Sequence, residues 1–177
     1  MATIFTHVLV PVAVALVARG SSAPVSGRLL AAAMFATVLP DFDVIAFLYG
    51  IPYDHILGHR GVTHSLGFAL GIGLLGALAA EGLKASRTAA FFMLAGATAS
   101  HAFLDAFTNG GLGVAALWPL SDVRYFMPWQ PVEVSPIGVS AFFTARGALV
   151  LLSELYWIVA PLAVLAVAGR FITKSKT

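Results

Sequence analysis

The chain has 177 residues, of which 59% are hydrophobic and 10% are charged, with a formal net charge of +2. Soluble domains carry about 25% charged residues, so this composition excludes an ordinary soluble protein and indicates one integral membrane domain over residues 1–177. The small positive surplus contains no basic run and does not indicate nucleic-acid binding, and the lack of cysteine excludes disulfides and thiolate metal ligands.

Five apolar segments follow one another along the chain, and each predicts a membrane helix. Their approximate bounds are 4–18, 29–49, 62–83, 89–107 and 148–169. A spanning helix needs about 17–25 residues, so the first segment needs its flanking residues to cross a bilayer. Turn-forming residues predict loops at 20–27, 50–61 and 81–87. The sequence thus predicts an all-α integral membrane protein, a bundle of about five transmembrane helices.

The stretch from residue 109 to residue 147 differs from the rest of the chain. It contains Pro119, Pro128, Pro131 and Pro136, and proline at this density excludes a straight helix. It also contains Trp and Tyr side chains, which favour the headgroup level of a membrane. We predict a long Pro/Trp-rich outer loop that lies across one mouth of the bundle, with a short re-entrant piece near residues 112–118.

The positions of the positive charges predict the orientation of the helices. With five spans, one side carries Arg19, Arg28, Lys84, Arg87, Arg170, Lys174 and Lys176, and the other side carries Arg60, Arg124 and Arg146. Basic residues concentrate on the cytoplasmic side of a membrane protein. The N-terminus is therefore expected outside, on the periplasmic face of a Gram-negative cell, and the C-terminus in the cytoplasm.

Histidines and aspartates in and beside the apolar segments all fall at the predicted outer ends of the helices. They are His7, Asp41, Asp43, His59, His64, His101 and Asp105, whereas His55 is expected to be solvated in a loop. Ionisable groups within a membrane are costly and mark functional sites. Imidazole and carboxylate are ligands for zinc and other divalent metals. The sequence therefore predicts a metal site at the outer end of the bundle.

The spacing within these clusters leaves alternatives open. His101 and Asp105 share one helix face and either chelate one ion or pair with each other, the carboxylate orienting the imidazole. Pro40 disfavours helical geometry at the residue before it. Residues two apart on an ideal helix point to nearly opposite sides. Asp41 and Asp43 therefore share a site only if the backbone is unwound, or they contact different metals, or one is merely a cap.

Residues 59–65 combine two imidazoles, a guanidinium and two hydroxyl groups at the start of a predicted helix. Thr63 is expected to cap that helix. Arg60 is suited to bidentate contact with a phosphate or a carboxylate. Glu154 is an acid in an otherwise apolar span and is expected to point inward, either to the site or to an arginine.

These motifs give the chain a family resemblance that covers nearly its whole length. The combination of His7, Pro-Asp-Phe-Asp at 40–43, His-Arg-Gly-Val-Thr-His-Ser at 59–65 and His-x3-Asp at 101–105 resembles the bacterial inner-membrane metal-dependent hydrolases. This family is LexA-regulated in some members, and its domain carries HRGxTHS and HxxxD motifs. The resemblance implies a multi-pass inner-membrane hydrolase whose metal ligands come from the seven His and Asp residues named above.

The expected reaction is hydrolysis, at the outer membrane face, of a phosphate ester of a lipid or lipid-linked substrate taken from the bilayer, with an acyl ester as the less favoured alternative. Seven ligands suit two or three ions, with zinc favoured over manganese or magnesium. The expected catalytic residues are Asp43, Arg60, Thr63, Ser65 and Glu154. The expected substrate-binding residues are Arg60, Arg124, Asn109 and Trp129.

Two other functions would use the same residues. A proton- or metal-ion transporter or channel requires ionisable groups along the whole membrane depth, whereas the inner halves of the predicted helices are almost entirely apolar. A non-catalytic metal- or lipid-binding scaffold is the other alternative, although the ligand set is complete.

Overall fold

The computed structural model describes residues 1–19 and 24–174, and over these residues the protein is helical with no strand. The α-helices are α1 (Ile4–Ala18), α2 (Gly27–Val38), α3 (Leu66–Leu78), α4 (Arg87–Ala106), α5 (Val139–Phe142), α6 (Ala145–Glu154) and α7 (Ala160–Lys174). Two 3₁₀ helices (Leu39–Tyr49 and Val62–His64) and a π-helical turn (Leu155–Val159) interrupt them. Residues 20–23 of the first predicted loop and Lys176 lie outside the described residues.

Three continuous helical stretches of the described chain are long and apolar enough to cross a membrane. They are Gly27–Tyr49, Arg87–Ala106 and Ala145–Ile172, while Ile4–Ala18 and Leu66–Leu78 are shorter apolar helices. The predicted all-α membrane protein is therefore confirmed. The count of five spans depends on the two shorter helices and stays a prediction, because a span needs about 17–25 residues.

The predicted second segment is divided where Pro40 occurs. Helix α2 ends at Val38, and the chain continues as a 3₁₀ helix with the proline in its first turn. The predicted third helix begins later than expected, at Leu66, because residues 62–64 form a separate 3₁₀ turn. Residues 112–118 form turns, not a re-entrant helix. The sequence pattern thus located the helices but misplaced the ends nearest the histidines.

Helices α3 and α4 pack closely because glycine lies at their contact. A Cβ atom added to Gly73 would lie 2.7 Å from Ala95 Cβ and 2.9 Å from the Phe91 carbonyl oxygen. Helices α2 and α4 share an apolar core that includes Leu29, Ala33, Ala36, Ala90, Leu94 and Ala97. Small residues of this kind let membrane helices approach each other closely.

The segment between α4 and α5 closes one end of the bundle through backbone hydrogen bonds. The Met127 amide donates to the Ala106 carbonyl at 2.9 Å, and the Leu66 amide at the start of α3 donates to Ala116 at 2.9 Å. The Ala115 amide donates to the Arg60 carbonyl at 3.0 Å. This segment therefore lies over the ends of α3 and α4 that carry the predicted ligands.

The close α3–α4 contact predicts a position-specific cost of added volume. Gly73→Val should lower the free energy of unfolding by about 1–3 kcal/mol, because the contact has no room for the side chain. Gly71→Val makes the same change on α3, where an added Cβ has no neighbour within 4 Å. Unfolding in mixed micelles measures both variants, and equal losses would contradict the packing described here.

Candidate metal centre

All seven predicted ligands come together where α1 begins and α4 ends. His7 lies on α1, the two aspartates of the Pro40 segment lie on the 3₁₀ helix, and His101 and Asp105 lie on α4. His59 and His64 lie in the segment that leads to α3. Their side chains are at most 5% exposed. The sequence thus placed these residues at one end of the bundle, and the structure brings them into contact.

Two groups of potential metal ligands share one histidine. The α4 group consists of Asp41, His64, His101 and Asp105, and the loop group consists of Asp43, His59 and His64. Within each group, one ligand atom per residue lies within 4.8 Å of the others. His55 lies outside both groups and is exposed.

The long 3₁₀ helix explains how two aspartates two residues apart serve two groups. A 3₁₀ helix turns about 120° per residue, so Asp41 and Asp43 do not point in opposite directions as they would on an α-helix. Asp41 joins the α4 group and Asp43 joins the loop group. The sequence left open whether the backbone changes at the two aspartates or whether the aspartates separate. The structure shows both, because the backbone is a 3₁₀ helix and the two aspartates join different groups.

The ligand atoms of the α4 group are spaced like the corners of a tetrahedral zinc site. His101 Nε2 lies 3.1 Å from His64 Nε2 and 3.2 Å from Asp41 Oδ1. Asp105 Oδ2 lies 3.6 Å from His64 Nε2 and 4.0 Å from His101 Nε2. Zinc–ligand bonds of about 2.0–2.2 Å give ligand–ligand distances of about 3.3–3.6 Å in a tetrahedron. These atoms therefore fit around one ion after small adjustments.

The hydrogen bonds of the two histidines direct bare nitrogen atoms toward each other. His101 Nδ1 lies 2.7 Å from the Thr37 carbonyl oxygen, which only accepts, so Nδ1 carries the proton. His64 Nδ1 lies 3.2 Å from the Asp43 carboxylate, which fixes the same tautomer. In neutral rings the two Nε2 lone pairs then face each other. A proton on His64 Nε2 or a metal ion between the two atoms removes this repulsion.

Several buried polar atoms in and beside the α4 group have no hydrogen-bond partner among the described residues. They include both carboxylate oxygens of Asp41, both ring nitrogens of His7 and Oδ2 of Asp105. Most buried polar atoms are hydrogen-bonded, so this concentration marks a ligand set. The His7 ring stacks on His101 with centroids 3.7 Å apart, and its Nε2 lies 3.5 Å from Asp105 Oδ1. His7 therefore lies against the α4 group without being a member of it.

The carboxylates of the site outnumber the fixed positive charges beside them. The carboxylates of Asp41, Asp43 and Asp105 lie near two fixed positive charges, the Arg60 guanidinium and the Met1 ammonium, which is 4.0 Å from Asp105 Oδ2. Neutral imidazoles therefore leave one negative charge. Burial by itself lowers the pKa of His64, but interactions with the three carboxylates outweigh burial and raise this pKa to about 10. The surroundings of this imidazole therefore favour positive charge.

Asp43 acts within the loop group as an acceptor with little capacity left for a metal. Its Oδ1 lies 2.6 Å from His59 Nδ1, and its Oδ2 accepts from the Arg60 amide at 3.1 Å and from Thr63 Oγ1 at 2.7 Å. Its Oδ2 also faces His64 Nδ1. A carboxylate in this position orients a metal-binding histidine and raises its basicity.

Arg60 has a different environment from the one expected of a headgroup-binding residue. Its guanidinium is fully buried and donates to the Gly110 carbonyl and to Thr108 Oγ1, each at 2.8 Å, while Nε lies 3.1 Å from Asp105 Oδ2. Its backbone has a φ of 63°, which is uncommon for a residue other than glycine. The structure therefore uses this side chain to clamp the loop onto Asp105.

Two further expected catalytic residues fix the ends of helices. Ser65, not Thr63 as expected, caps α3, because its Oγ accepts the Phe68 amide at 3.0 Å. Glu154 is buried and accepts hydrogen bonds from the Thr3 amide and, at 2.6 Å, from Thr3 Oγ1. Glu154 therefore holds the start of α1 one turn before the first histidine.

The remaining expected substrate-binding residues also contact the protein itself. Arg124 donates to the His59 carbonyl at 2.9 Å and to the carbonyls of Tyr53 and His55. Asn109 Oδ1 accepts the Val134 amide at 3.0 Å. Trp129 packs edge to face on Trp157, with centroids 4.7 Å apart. These contacts order the long segment over the site.

Sequence reasoning missed two threonines that position the ligands. Thr37 lies four residues before Asp41 and orients His101 through its carbonyl. Thr108 lies three residues after Asp105 and contacts the Arg60 guanidinium. Both are fully buried. Their spacing from the aspartates, about one helical turn, was the available signal.

Comparison with known proteins identifies the family. A model of the YdjM inner membrane protein family matches residues 1–176. The chain belongs to this family. It is 40% identical over 162 residues to the inner membrane protein YbcI of Escherichia coli (strain K12), which covers 91% of this chain and 92% of YbcI. No solved structure matches. The bacterial inner membrane, expected from the sequence, is thus confirmed, and neither description names an activity.

The buried contacts of Arg60 predict a large cost of its removal. Arg60→Ala should lower the free energy of unfolding by about 3–5 kcal/mol, because it leaves Asp105 buried without its guanidinium. Arg146→Ala is the matched control, since its ion pair with Glu133 is partly exposed and such pairs contribute about 0–1 kcal/mol. Denaturation in mixed micelles compares them, and similar losses would contradict the clamp.

Proposed function

We propose that this YdjM-family protein is a membrane-embedded metal-dependent hydrolase that binds one divalent ion, zinc foremost, through the α4 group. The observation that carries the proposal is the pair of facing Nε2 atoms of His64 and His101 beside carboxylate oxygens of Asp41 that have no partner. The proposed substrate is a phosphate ester of a lipid or lipid-linked molecule. The family and its bilayer location support a membrane substrate.

One ion fits the geometry better than the two or three expected from seven ligands. A second ion in the loop group would require His64 to bind through both ring nitrogens, and Asp43 to give up donors that it already accepts. We therefore assign the α4 group as the first coordination shell, with His7 as an additional ligand. Asp43 and His59 form the hydrogen-bonded shell around it.

Each side chain of the site has a separate role in the proposed reaction. A divalent metal held by Asp41, His64, His101 and Asp105 would supply an activated water near neutral pH and polarise the phosphate ester. Asp41 has two oxygens without hydrogen-bond partners, so one can ligate while the other accepts the proton of the attacking water. Arg60 holds Asp105 in place, and Asp43 keeps the His64 tautomer. Thr63 donates to Asp43, Ser65 caps α3 and Glu154 holds the start of α1, so all three support these groups.

The packing next to the site supports a hydrolase over an ion path. An apolar core of Leu29, Ala33, Ala36, Ala90, Leu94 and Ala97 joins α2 and α4 on the side of the site away from the long segment. In this core Thr98 Oγ1 bonds to the carbonyls of Leu94 and Ala36. A proton or metal path would need polar groups there. We place the site on the periplasmic face, with the N-terminus outside and the C-terminus in the cytoplasm, from the charge distribution.

The metal assignment predicts a selective loss of bound ion. Elemental analysis of the detergent-purified protein should find one zinc or manganese per chain in the wild type and almost none in His101→Ala, which loses a ligand. His55→Ala replaces an exposed histidine outside both groups and should keep the ion. Release of phosphate or headgroup from phospholipid and lipid-phosphate substrates should follow the metal content.

The outcomes of this experiment separate the competing functions. Wild-type protein that binds no metal, even after reconstitution, would contradict the proposal and favour the ion path. A bound metal without turnover of any lipid phosphate would favour the non-catalytic scaffold. Two ions per chain would favour the two-metal site that the sequence predicted over the single-ion site proposed here.

The position of Asp43 predicts a weaker effect than loss of a ligand. Asp43→Asn should lower metal affinity by about 10–100-fold, because it removes the carboxylate that orients His64, while one ion still binds at saturating metal. Metal titration against a competing chelator measures the affinity. Loss of a whole equivalent of metal in this variant or in His59→Ala would show that the loop group is itself a coordination shell.

A further inference from the structure

An apolar cavity lies between α4 and the long segment, next to the proposed metal site. Its volume is about 210 Å³, and His64 lies in its wall. Ala99, Ala102 and Phe103 of α4 line one side, and Phe126 and Met127 of the long segment line the other. We name it the α4–loop cavity. His64, whose imidazole is buried against the other potential metal ligands, therefore also borders an apolar space.

The walls of the α4–loop cavity are held in place by the backbone. Val114 and Tyr125, which both line it, exchange two hydrogen bonds of 2.9 Å. Met127 is tied to the end of α4 through the Ala106 carbonyl. The cavity is thus a fixed part of the fold, and a ligand does not have to form it.

The chemistry of the lining selects the ligand. Apart from His64 and Tyr125, the lining side chains are hydrocarbon or thioether. Phe103 is 54% exposed and Leu66 is 50% exposed, so the cavity borders the apolar outer surface of a membrane protein. A polar ligand gains little from such a lining, whereas a hydrocarbon chain is matched to it.

We propose that the α4–loop cavity binds the hydrocarbon chain of the substrate and admits it sideways from the bilayer. The inference rests on the proposed function, because it places the phosphate of the same molecule beside His64. The substrate class is a phosphate ester joined directly to a long hydrocarbon chain. Trp129, expected to contact substrate, does not line the cavity and packs on Trp157 instead.

The test uses a photoreactive lipid on the full chain. Metal-loaded protein in micelles is irradiated with hexadecyl phosphate that carries a diazirine in its chain, and labelled residues are mapped by mass spectrometry. We expect labelling at Phe103 and Met127, suppressed by unlabelled hexadecyl phosphate. Ala99→Leu, which fills the cavity from α4, should reduce labelling about tenfold or more. Met127→Trp, which fills it from the opposite wall, should do the same.

The matched control makes the same chemical change on the exposed face of the same helix. Ala89→Leu lies outside the cavity and should be labelled like the wild type. All variants are compared at equal metal content and equal thermal stability. Labelling that is unchanged in both filled variants, or spread evenly over exposed leucines such as Leu70 and Leu74, would overturn the proposal.

Two readouts keep this inference separate from the metal assignment. Labelled cavity residues in a protein that binds no metal would support the chain-binding cavity and contradict the hydrolase. A bound metal without specific labelling would contradict the cavity alone. Competition by farnesyl phosphate or by dioctanoyl phosphatidic acid distinguishes an isoprenoid chain from an acyl chain as the source, and competition by neither would overturn the proposal.

Discussion

The structure depends on how the buried carboxylate of Asp105 is compensated. An unpaired carboxylate in a membrane interior is costly, and removing one partner of a buried pair is more costly still. Two separate parts of the chain therefore converge on this side chain. From the start of α1 the Ala2 amide donates to it at 2.7 Å and His7 lies 3.5 Å away, and from the loop before α3 Arg60 lies 3.1 Å away. The start of α1 and the loop before α3 are held against α4 because their polar groups contact the Asp105 carboxylate.

The departures from regular α-helix occur where this convergence demands them. The 3₁₀ helix keeps Asp41 and Asp43 from pointing in opposite directions, so one element supplies a member of the α4 group and the carboxylate that contacts His64 Nδ1. The π-helical turn follows directly after Glu154, the residue that anchors the start of α1. Local π turns are frequent at functional sites. Irregular backbone is thus concentrated around the polar groups, while regular helices carry the apolar contacts.

Much of the fold and the clustering of the His and Asp side chains followed from the sequence, because apolar runs indicate helices and ionisable residues within them indicate sites. The first helix was predicted with its observed bounds, and the seven His and Asp residues predicted at one end of the bundle lie together there. The burial of Arg60 could not be predicted from the sequence, because it depends on the path of a segment fifty residues later, which supplies the Gly110 carbonyl. The cap of α3 was assigned to Thr63 in place of Ser65 for a related reason: Thr63 had a stronger tertiary partner in Asp43. Spacing along the chain identifies which residues share a helix face, but tertiary contacts decide which hydrogen-bond partner a polar side chain takes.

His64 lies at the boundary between two chemically different surroundings. On one side is the apolar α4–loop cavity, and on the other are the carboxylates and the polar loop group. His59 of the loop group contacts the ring of Tyr53, and Arg124 lies over that ring, 5.9 Å from its centroid. Polar side chains therefore continue from the loop group toward the long segment. This arrangement is the one that the proposed hydrolysis of an amphiphile would need, since a hydrocarbon chain and water would have to reach the same phosphate from different directions. A site that only held a metal would need the ligands, but it would not need an apolar cavity ending at one of them.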